Sequence, residues 1–346
     1  MKLRNRIFAL ILLCAMLACL AACGGKESKS DTVYELKLDC VDPSTSIIAT
    51  GLERFKAEVE EKSAGRIKIN IFYGSTLGAL ADAYDNLLLG VSDMAWGAAA
   101  HYPGRFPCTE GMTIPYMGVD SPYHAAQAMW ELYENDEQFQ KEFKDVKLLA
   151  LHTSAAFTLS SAKKDPSDIG GYPGLKIRTS SSNLTNWVTE LGATPIGLSA
   201  GEVYEALSKN VVDMVVWDNG GLCNYKVYEQ IKLVVDEPIC YQPFFLMMNK
   251  KSYEKLPADL QAVIDECSGK ALVDALAQDW QSFADTSRQT LIDEGVQMVA
   301  LGDDARSAWH AAAENIQGSW IETLNGLGYD GQAVFDSYLA AIEKTR

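Results

Sequence analysis

Motifs for metals, nucleotides and redox chemistry are missing from this sequence. Histidine is scarce, and the four histidines show no HExxH or other metal-ligand spacing. The eight cysteines include no CxxC pair, which argues against both a zinc site and a redox motif. No GxxxxGKS/T loop is present to hold phosphates. We therefore expect neither a metal nor a cofactor.

Positive charge is also in short supply. The 30 lysines and arginines face 46 aspartates and glutamates, for a net charge of -16. A surface this acidic argues against nucleic acid or anionic lipid as a partner. A small anionic ligand stays open, because exposed charges are screened beyond a Debye length of about 8 Å whereas a contact ion pair is not.

One long apolar run stands at the N-terminus. Three cations precede sixteen apolar residues, 7–22, which are too few for a spanning helix and typical of a signal peptide. The run ends in Leu-Ala-Ala-Cys, which resembles a bacterial lipobox and makes Cys23 the predicted lipid carrier. We expect residues 1–22 to be removed and residues 23–32 to form the lipidated cysteine and a flexible tether.

The alternative for this run is an uncleaved anchor helix. In both cases the folded part lies outside the cytoplasm, on the outer face of the cell membrane. Without Cys14, Cys19 and the lipidated Cys23, five cysteines remain, so at least one thiol is free. We expect most of them to be small buried side chains.

Strand and helix patterns alternate along the rest of the chain. They predict strands at 33–40, 66–73 and 91–97. They also predict a helix at 47–62 and a second helix that begins within 74–78 and ends at residue 89. Such alternation is typical of an α/β sheet with parallel pairs. Ligands bind beyond the carboxyl ends of the strands in these sheets, which puts loops 41–46, 74–77 and 96–102 at the binding edge.

A second series of the same kind follows. Two extended segments, 147–152 and 156–161, flank residue 155, where we expect a change of lobe. Beyond it the pattern predicts strands at 175–179, 194–196, 211–217, 231–235 and 244–248. It predicts helices at 184–191, 201–209 and 221–230. Two helical segments, 258–294 and 304–345, are expected to brace both lobes.

Arg178 stands at the end of the predicted strand 175–179, after a turn cluster of glycine and proline at 170–174. Trp217 ends strand 211–217 in the same way. Because carboxyl ends of parallel strands share one edge, we expect the two side chains on the same edge. The alternatives are a surface ion pair for Arg178 and a core position for Trp217.

Ser199 lies in Gly-Leu-Ser-Ala-Gly, which matches the nucleophile elbow of α/β-hydrolases. A hydrolase of that kind needs a later histidine, and the only one is His310, in the terminal helical segment. The rival interpretation is a capping box, in which Ser199 and Glu202 close the start of the next helix.

An ordered set of segments carries a family resemblance. They are 65–69 (GRIKI), 77–78 (LG), 90–94 (GVSDM), 103–107 (PGRFP), 114–115 (IP), 172–178 (YPGLKIR), 202–207 (EVYEAL), 211–213 (VVD) and 228–229 (YE). In this order and spacing the chain resembles the DctP-like solute-binding proteins of TRAP (tripartite ATP-independent periplasmic) transporters. The resemblance covers nearly all of residues 33–270.

The resemblance implies an α/β, two-lobed fold like that of type II periplasmic binding proteins, with hinge strands and long C-terminal helices. The lobes close on a small organic acid and deliver it to the TRAP permease in the membrane. Lobe 1 is expected at 33–155 plus about 244–283, and lobe 2 at 156–243 plus about 284–346. We expect a monomer. Arg178 takes the family's role of carboxylate anchor, which suits a guanidinium because it can form two parallel hydrogen bonds.

Two departures from the family pattern bear on the ligand. Many relatives carry a second arginine about twenty residues before the first, where this chain has Phe157. Where Gln-Glu-Asn-Pro commonly follows the Val-Asp pair, this chain has 215–218 (VVWD). One cation beside two large aromatics suggests a monocarboxylate with an apolar or aromatic body, rather than a C4 dicarboxylate or sialic acid.

The predicted site thus has Arg178 as its anchor, and the other members fall into three groups. Trp217 and Phe157 are walls, Asp218 and Asn219 are polar contacts, and Trp96, Ser75 and Ser46 come from the first lobe. Two rival functions stay open: a secreted serine hydrolase that uses Ser199, and an orphan sensor that feeds a signalling receptor.

Overall fold

One mixed sheet runs through the computed structural model, which describes residues 32–78 and 80–346. Its ten strands in the described residues are β1 Tyr34–Cys40, β2 Ile67–Tyr73, β3 Met94–Ala98, β4 Val146–Ser161, β5 Lys176–Thr179, β6 Thr194–Gly197, β7 Met214–Asp218, β8 Leu233–Val235, β9 Cys240–Asn249 and β10 Gln297–Val299. The predicted signal peptide, Cys23 and nearly all of the tether lie outside the described residues.

Twelve α-helices accompany the sheet in the same residues. They are α1 Ile47–Lys62, α2 Ala83–Leu89, α3 Pro122–Asn135, α4 Glu137–Glu142, α5 Ser182–Glu190, α6 Val203–Ser208, α7 Asn219–Asn224, α8 Lys250–Glu254, α9 Ala258–Glu266, α10 Lys270–Asp293, α11 Asp303–Gly326 and α12 Gly331–Thr345. Short 3-10 helices lie at Leu80–Asp82, Ala99–His101, Thr109–Thr113, Ile169–Gly171, Ala200–Glu202 and Val227–Gln230. No helix in the part of the chain described is long and apolar enough to cross a membrane.

Strand pairing divides the sheet into two parallel groups. The order is β2-β1-β3-β9-β4-β7-β5-β6; β8 also pairs with β4, and β10 pairs with β8. β1 pairs in parallel with β2 and β3, and β5 pairs in parallel with β6 and β7. β4 and β9 run antiparallel to their neighbours and join the two groups. This confirms the predicted two-lobed α/β fold with hinge strands.

The two parallel groups share one kind of hydrogen bond at the start of a strand, from a backbone N–H to an aspartate carboxylate. In the first, the Lys37 N–H donates to the Asp93 carboxylate at 2.8 Å. In the second, the Lys176 N–H donates to the Asp213 carboxylate at 2.9 Å. Asp93 immediately precedes β3, and Asp213 immediately precedes β7. Each carboxylate therefore holds the start of its strand against the neighbouring strand, at the end opposite the binding edge.

β4 differs from the prediction of two extended segments. It is one strand of 16 residues, because its pairing with neighbouring strands continues past residue 155. Pairing with β9 extends from Val146 to Phe157, and residues 157–161 pair with β7. The register against β9 shifts between Thr153 and Ala156, close to the predicted change of lobe at residue 155.

The helical tail is more broken than predicted. Segment 258–294 is two helices separated at Gly269, whose φ of 69° an L side chain rarely adopts. Segment 304–345 is likewise split, with Gly328 at φ 86°. α10 packs against β4, α3, α1 and α7, so it contacts elements that carry both parallel groups. That contact supports the bracing role expected of it.

The five cysteines of the described chain are all free thiols, as the odd count predicted for at least one. Cys40, Cys108, Cys240 and Cys267 are buried, and Cys223 is partly exposed. They serve as small core side chains.

Gly111→Ala should destabilise the fold. A Cβ at Gly111 would lie 2.6 Å from the Trp320 ring and 2.7 Å from the Tyr338 ring, both on the terminal helices. Overpacking of this kind costs about 1–3 kcal/mol. Urea unfolding followed by circular dichroism should show a loss of that size in the free energy of unfolding.

Gly318→Ala is the matched control, since nothing lies within 4 Å of a Cβ at this position in α11. Alanine is the better helix former, so we expect stability to rise by up to about 1 kcal/mol. Equal effects of the two substitutions would contradict the packing around Gly111.

Candidate functional site

A small cavity lies where the carboxyl ends of the two parallel groups meet. Its volume is about 70 Å³, which is above the roughly 10–15 Å³ that a single water needs. It is lined by Asp42, Ala98, His101, Phe157, Arg178, Ser180, Ala200, Trp217, Asp218, Gly221, Asn224, Tyr225, Gln242, Phe244 and Trp280. His101, Arg178 and Ser180 also line an open cleft of about 660 Å³. The aromatic walls and the buried polar groups belong to the cavity.

The guanidinium of Arg178 is buried where the cavity meets the cleft. The residue is only 3% exposed. Nε and Nη2 donate to the Leu198 carbonyl oxygen at 3.1 and 2.9 Å, and Nη1 donates to the Val216 carbonyl oxygen at 3.4 Å. One N–H on each Nη atom stays without an acceptor among the described residues. All these acceptors are backbone carbonyls, so no carboxylate of the described chain pairs with this charge.

Burial sets the electrostatics of Arg178. It lowers the pKa of Arg178 from 12.5 to about 10, and the nearby Asp218 partly offsets this. The side chain therefore stays protonated at neutral pH. Its Cζ lies 4.9 Å from the centroid of the Trp217 ring, a cation–π contact that holds the guanidinium plane against the wall.

Trp217 and Phe157 both line the cavity, from the paired strands β7 and β4. Thr158 is the register partner of Trp217, and Phe157 is the partner of Asp218. Trp217 also stacks near Tyr225, with ring centroids 5.4 Å apart. These rings make the cavity wall apolar, and contact of Trp217 and Phe157 with a ligand stays a prediction.

Two carboxylates line the same cavity. Asp218 accepts the Gly221 N–H at 2.9 Å as the N-cap of α7, and burial raises its pKa from 3.8 to about 7. Asp42, in the loop after β1, accepts the Tyr225 hydroxyl at 3.2 Å, and burial raises its pKa to about 6. The Asp42–Tyr225 bond joins a loop of the first parallel group to the segment that follows α7.

Several buried polar atoms of the lining have no partner within the described residues. They are His101 Nδ1, Ser180 Oγ, Gln242 Oε1 and Trp280 Nε1. Burial and the charge of Arg178 lower the pKa of His101 to about 4, so the ring is neutral. Buried polar groups are normally hydrogen-bonded, so this cavity has hydrogen-bonding capacity for a ligand or for water.

The other predicted site residues do not line this cavity. Trp96 is behind its wall, where its ring stacks on Phe244 at 4.7 Å and its Nε1 donates to His152 Nε2 at 3.1 Å. Asn219 is the first residue of α7, Ser75 lies in the exposed turn after β2, and Ser46 precedes α1 with its hydroxyl buried. A contact of these four with a ligand stays a prediction.

The Ser199 hydroxyl has the partner that the capping interpretation requires. Its Oγ lies 2.5 Å from a carboxylate oxygen of Glu202, and the Ser199 N–H donates to the same oxygen at 2.9 Å. His310, the predicted hydrolase partner, instead stacks on Tyr116 at 3.9 Å and lines another cavity. The geometry around Ser199 is that of a helix start.

Sequence reasoning missed several lining residues. Asp42 and His101 fall in loops that it assigned to the binding edge, 41–46 and 96–102, so the edge rule could have named them. Gln242, Phe244 and Trp280 come from a hinge strand and a bracing helix. In the described chain no group of three His, Cys, Asp or Glu side chains could hold a metal ion.

Comparison with known proteins places this chain in a family. The model of the bacterial extracellular solute-binding proteins, family 7 (DctP), matches residues 40–323. That match spans most of the chain, so the protein belongs to this family.

Three individual proteins show how similar this chain is to members of the family. A solute-binding protein of Verminephrobacter eiseniae is 28% identical over 220 residues, which are 62% of this chain and 64% of that protein's length. A TRAP solute-binding protein from an unidentified marine microbe, specific for aromatic acid ligands and solved with meta-hydroxyphenylacetate, has a TM-score of 0.86 and 28% identity, over 90% of this chain and 99% of its own. One from Rhodoferax ferrireducens T118, with copurified benzoate, has a TM-score of 0.85 and 26% identity, over 90% and 98%.

Asp218→Asn should remove a pH-dependent part of the stability. Because the folded-state pKa of Asp218 is raised, the folded protein holds a proton that the unfolded chain releases. The group's contribution is complete below pH 3.8 and is lost as the pH rises to about 7. The free energy of unfolding of wild type minus that of the variant should fall over this range, by up to about 1.4 kcal/mol per pH unit.

Urea unfolding of both proteins between about pH 4 and 8 tests this sign. Glu322→Gln, which removes an exposed acid on α11, controls for the loss of one acidic group. A difference that stays constant, or rises with pH, would show that Asp218 is not the buried, proton-retaining carboxylate described here.

Proposed function

We propose that this chain is a lipid-anchored extracytoplasmic solute-binding protein that captures an aromatic or other apolar monocarboxylate for a TRAP permease. The observation that carries the proposal is the buried guanidinium of Arg178, with one unused N–H on each Nη atom. A carboxylate has two oxygens at the spacing of these donors, so it can accept both hydrogen bonds at once.

Charge balance couples binding to closure. Breaking a buried ion pair costs about 3–5 kcal/mol, because the remaining charge is left without compensation. Closing the cleft on Arg178 without a ligand would incur a cost of that kind. A bound carboxylate removes it, so the ligand shifts the population toward the closed form.

The choice of a monocarboxylate rests on the lining. Arg178 is the only arginine or lysine among the lining residues of the described cavity, and Phe157 takes the place of the family's second arginine. The walls are the rings of Phe157, Trp217, Phe244 and Trp280. The marine and Rhodoferax proteins, which hold meta-hydroxyphenylacetate and benzoate, support an aromatic acid here as well.

The proposed lobes follow the hinge strands. Lobe 1 comprises 33–155 plus about 244–283, and lobe 2 comprises 156–243 plus about 284–346. The register shift in β4 after Thr153 and the start of the pairing of β9 with β3 at Phe244 support these boundaries. We take the protein to be a monomer held at the membrane surface by Cys23, with Ser199 serving the helix start and no catalysis.

Arg178→Ala should abolish thermal stabilisation by benzoate while leaving the fold intact. A ligand at 1,000 times its Kd adds about 4 kcal/mol of stability, so the wild-type Tm should rise clearly at saturating benzoate. The variant lacks the carboxylate partner, and its Tm should not respond. Arg178→Lys should respond weakly, because an ammonium cannot form the parallel pair of hydrogen bonds.

Arg288→Ala is the control, since it removes an arginine that pairs with Asp236 on the surface. Its benzoate response should equal that of wild type. Near-ultraviolet circular dichroism checks that the Arg178 variants remain folded. Wild-type affinity for organic acids in folded Arg178→Ala would refute the anchor.

Cys23→Ser should release the protein from the membrane. Without the thiol no lipid can be attached, so the chain should move from the detergent-soluble membrane fraction to the soluble extracytoplasmic fraction. Cys19→Ser, four residues earlier in the predicted signal peptide, should leave the distribution unchanged. Intact-mass analysis of purified wild type should show a lipid on the residue-23 terminus; an unmodified or uncleaved N-terminus would contradict the anchor.

A further inference from the structure

Gly221, in the first turn of α7, lies directly against the ring of Trp217. A Cβ built on Gly221 would be 2.3 Å from both Cε2 and Nε1 of the indole and 2.8 Å from its Cδ2. These three atoms belong to the five-membered ring, so the backbone of Gly221 lies over the face of that ring. Real Cβ atoms essentially never approach another heavy atom within 3.0 Å. While the ring stays in this place, only glycine fits at residue 221.

The backbone at Gly221 has little freedom to move away from the ring. Its N–H donates to the Asp218 carboxylate at 2.9 Å, the contact that caps the start of α7. The preceding Gly220 is equally close to α10, since a Cβ there would be 2.4 Å from the Phe283 ring. A larger residue 221 therefore cannot be accommodated by moving α7 toward α10.

The ring of Trp217 is held by its other neighbours. Its centroid lies 4.9 Å from Cζ of Arg178 and 5.4 Å from the centroid of the Tyr225 ring. A Cβ at Gly221 would have to push the indole by about 1 Å before ordinary van der Waals contact was reached. In a packed interior such a shift passes to the neighbouring groups, here the guanidinium, the tyrosine ring and the cavity itself.

We propose that Gly221 is the positioning residue of the aromatic wall. Because it has no side chain, the indole of Trp217 can lie where it lines the cavity and also contacts the Arg178 guanidinium. The inference rests on the proposed function, in which Arg178 holds a carboxylate and Trp217 contacts the apolar body of the ligand. Gly221 acts on binding through Trp217.

Isothermal titration calorimetry with benzoate tests this in a double-mutant cycle. Gly221→Ala should weaken benzoate binding about tenfold or more, the effect of one surplus carbon in a closely fitting pocket. Trp217→Leu removes Nε1 and Cε2, because leucine ends at its δ carbons. In that background Gly221→Ala should change the Kd about threefold or less, since most of the clash is gone.

Gly318→Ala is the matched control for the glycine-to-alanine change. It also lies in a helix, α11, and nothing lies within 4 Å of a Cβ there. Its Kd for benzoate should equal that of wild type.

Tryptophan emission of the ligand-free protein gives a second readout. Gly221→Ala should shift the spectrum of wild type, because the surroundings of the Trp217 indole change. Trp217→Leu and Trp217→Leu/Gly221→Ala should have the same spectrum as each other, since the affected ring is absent from both. Displacement of another ring, such as Trp280 next to Phe283, would shift the spectrum in both backgrounds.

Two results would overturn the inference. One is wild-type affinity for benzoate in folded Gly221→Ala, and the other is an equal effect of Gly221→Ala with and without the indole. Circular dichroism shows whether each variant folds. If Gly221→Ala does not fold, the double variant decides, because its folding supports the contact with Trp217 and its unfolding contradicts it.

Failure of the proposed function has a different signature. Benzoate would then bind neither wild type nor any variant, or would bind Arg178→Ala as tightly as wild type. The emission spectra would still show whether Gly221 fixes the position of Trp217.

Discussion

A buried guanidinium with unused donors is the constraint around which this structure is arranged. Arg178 is fixed by two backbone carbonyls and by the face of Trp217, and none of these contacts neutralises its charge. Asp218 offsets the burial only in part, and a charge without a hydrogen-bonded counter-ion is costly away from water. The cavity beside the Arg178 guanidinium is therefore stable when it is open to the cleft, or when another molecule brings a negative charge into it.

The fold supplies what this constraint needs. The two parallel groups bring different loops to the same edge, and β4 and β9 connect them across the middle of the sheet. Asp42 from the first group meets Tyr225 from the second at 3.2 Å, so the cavity has contributions from both sides. Because the hinge strands carry both sides, a ligand that contacts both can shift the balance between open and closed forms.

Part of the cavity lining could be derived from the sequence, because the ends of strands can be predicted from it. Arg178, Trp217 and Asp218 end strands of a parallel group, and the edge rule places such residues together. Phe157 required the family pattern, since nothing in its own segment marks a wall position. β4 appeared as two segments because its alternation is interrupted where its partner changes, and pairing partners are a tertiary property.

The lining residues that the sequence did not predict lie in elements to which the rule about carboxyl ends of parallel strands does not apply. Gln242 and Phe244 lie in a hinge strand that is buried along nearly its whole length, so its pattern does not show which residues face the cavity. Trp280 lies on α10, whose apolar positions look alike from the sequence. Trp96 shows the reverse case: it ends near a strand terminus, yet its ring packs behind Phe244.

The most direct measurement is a crystal structure of the protein with benzoate or a hydroxybenzoate bound. We expect the two carboxylate oxygens within about 3 Å of Arg178 Nη1 and Nη2, the usual length of a charge-assisted hydrogen bond, with the ring between Trp217 and Phe157. A ligand carboxylate bound elsewhere, with the Arg178 donors still unused, would contradict the assignment of Arg178 as the anchor.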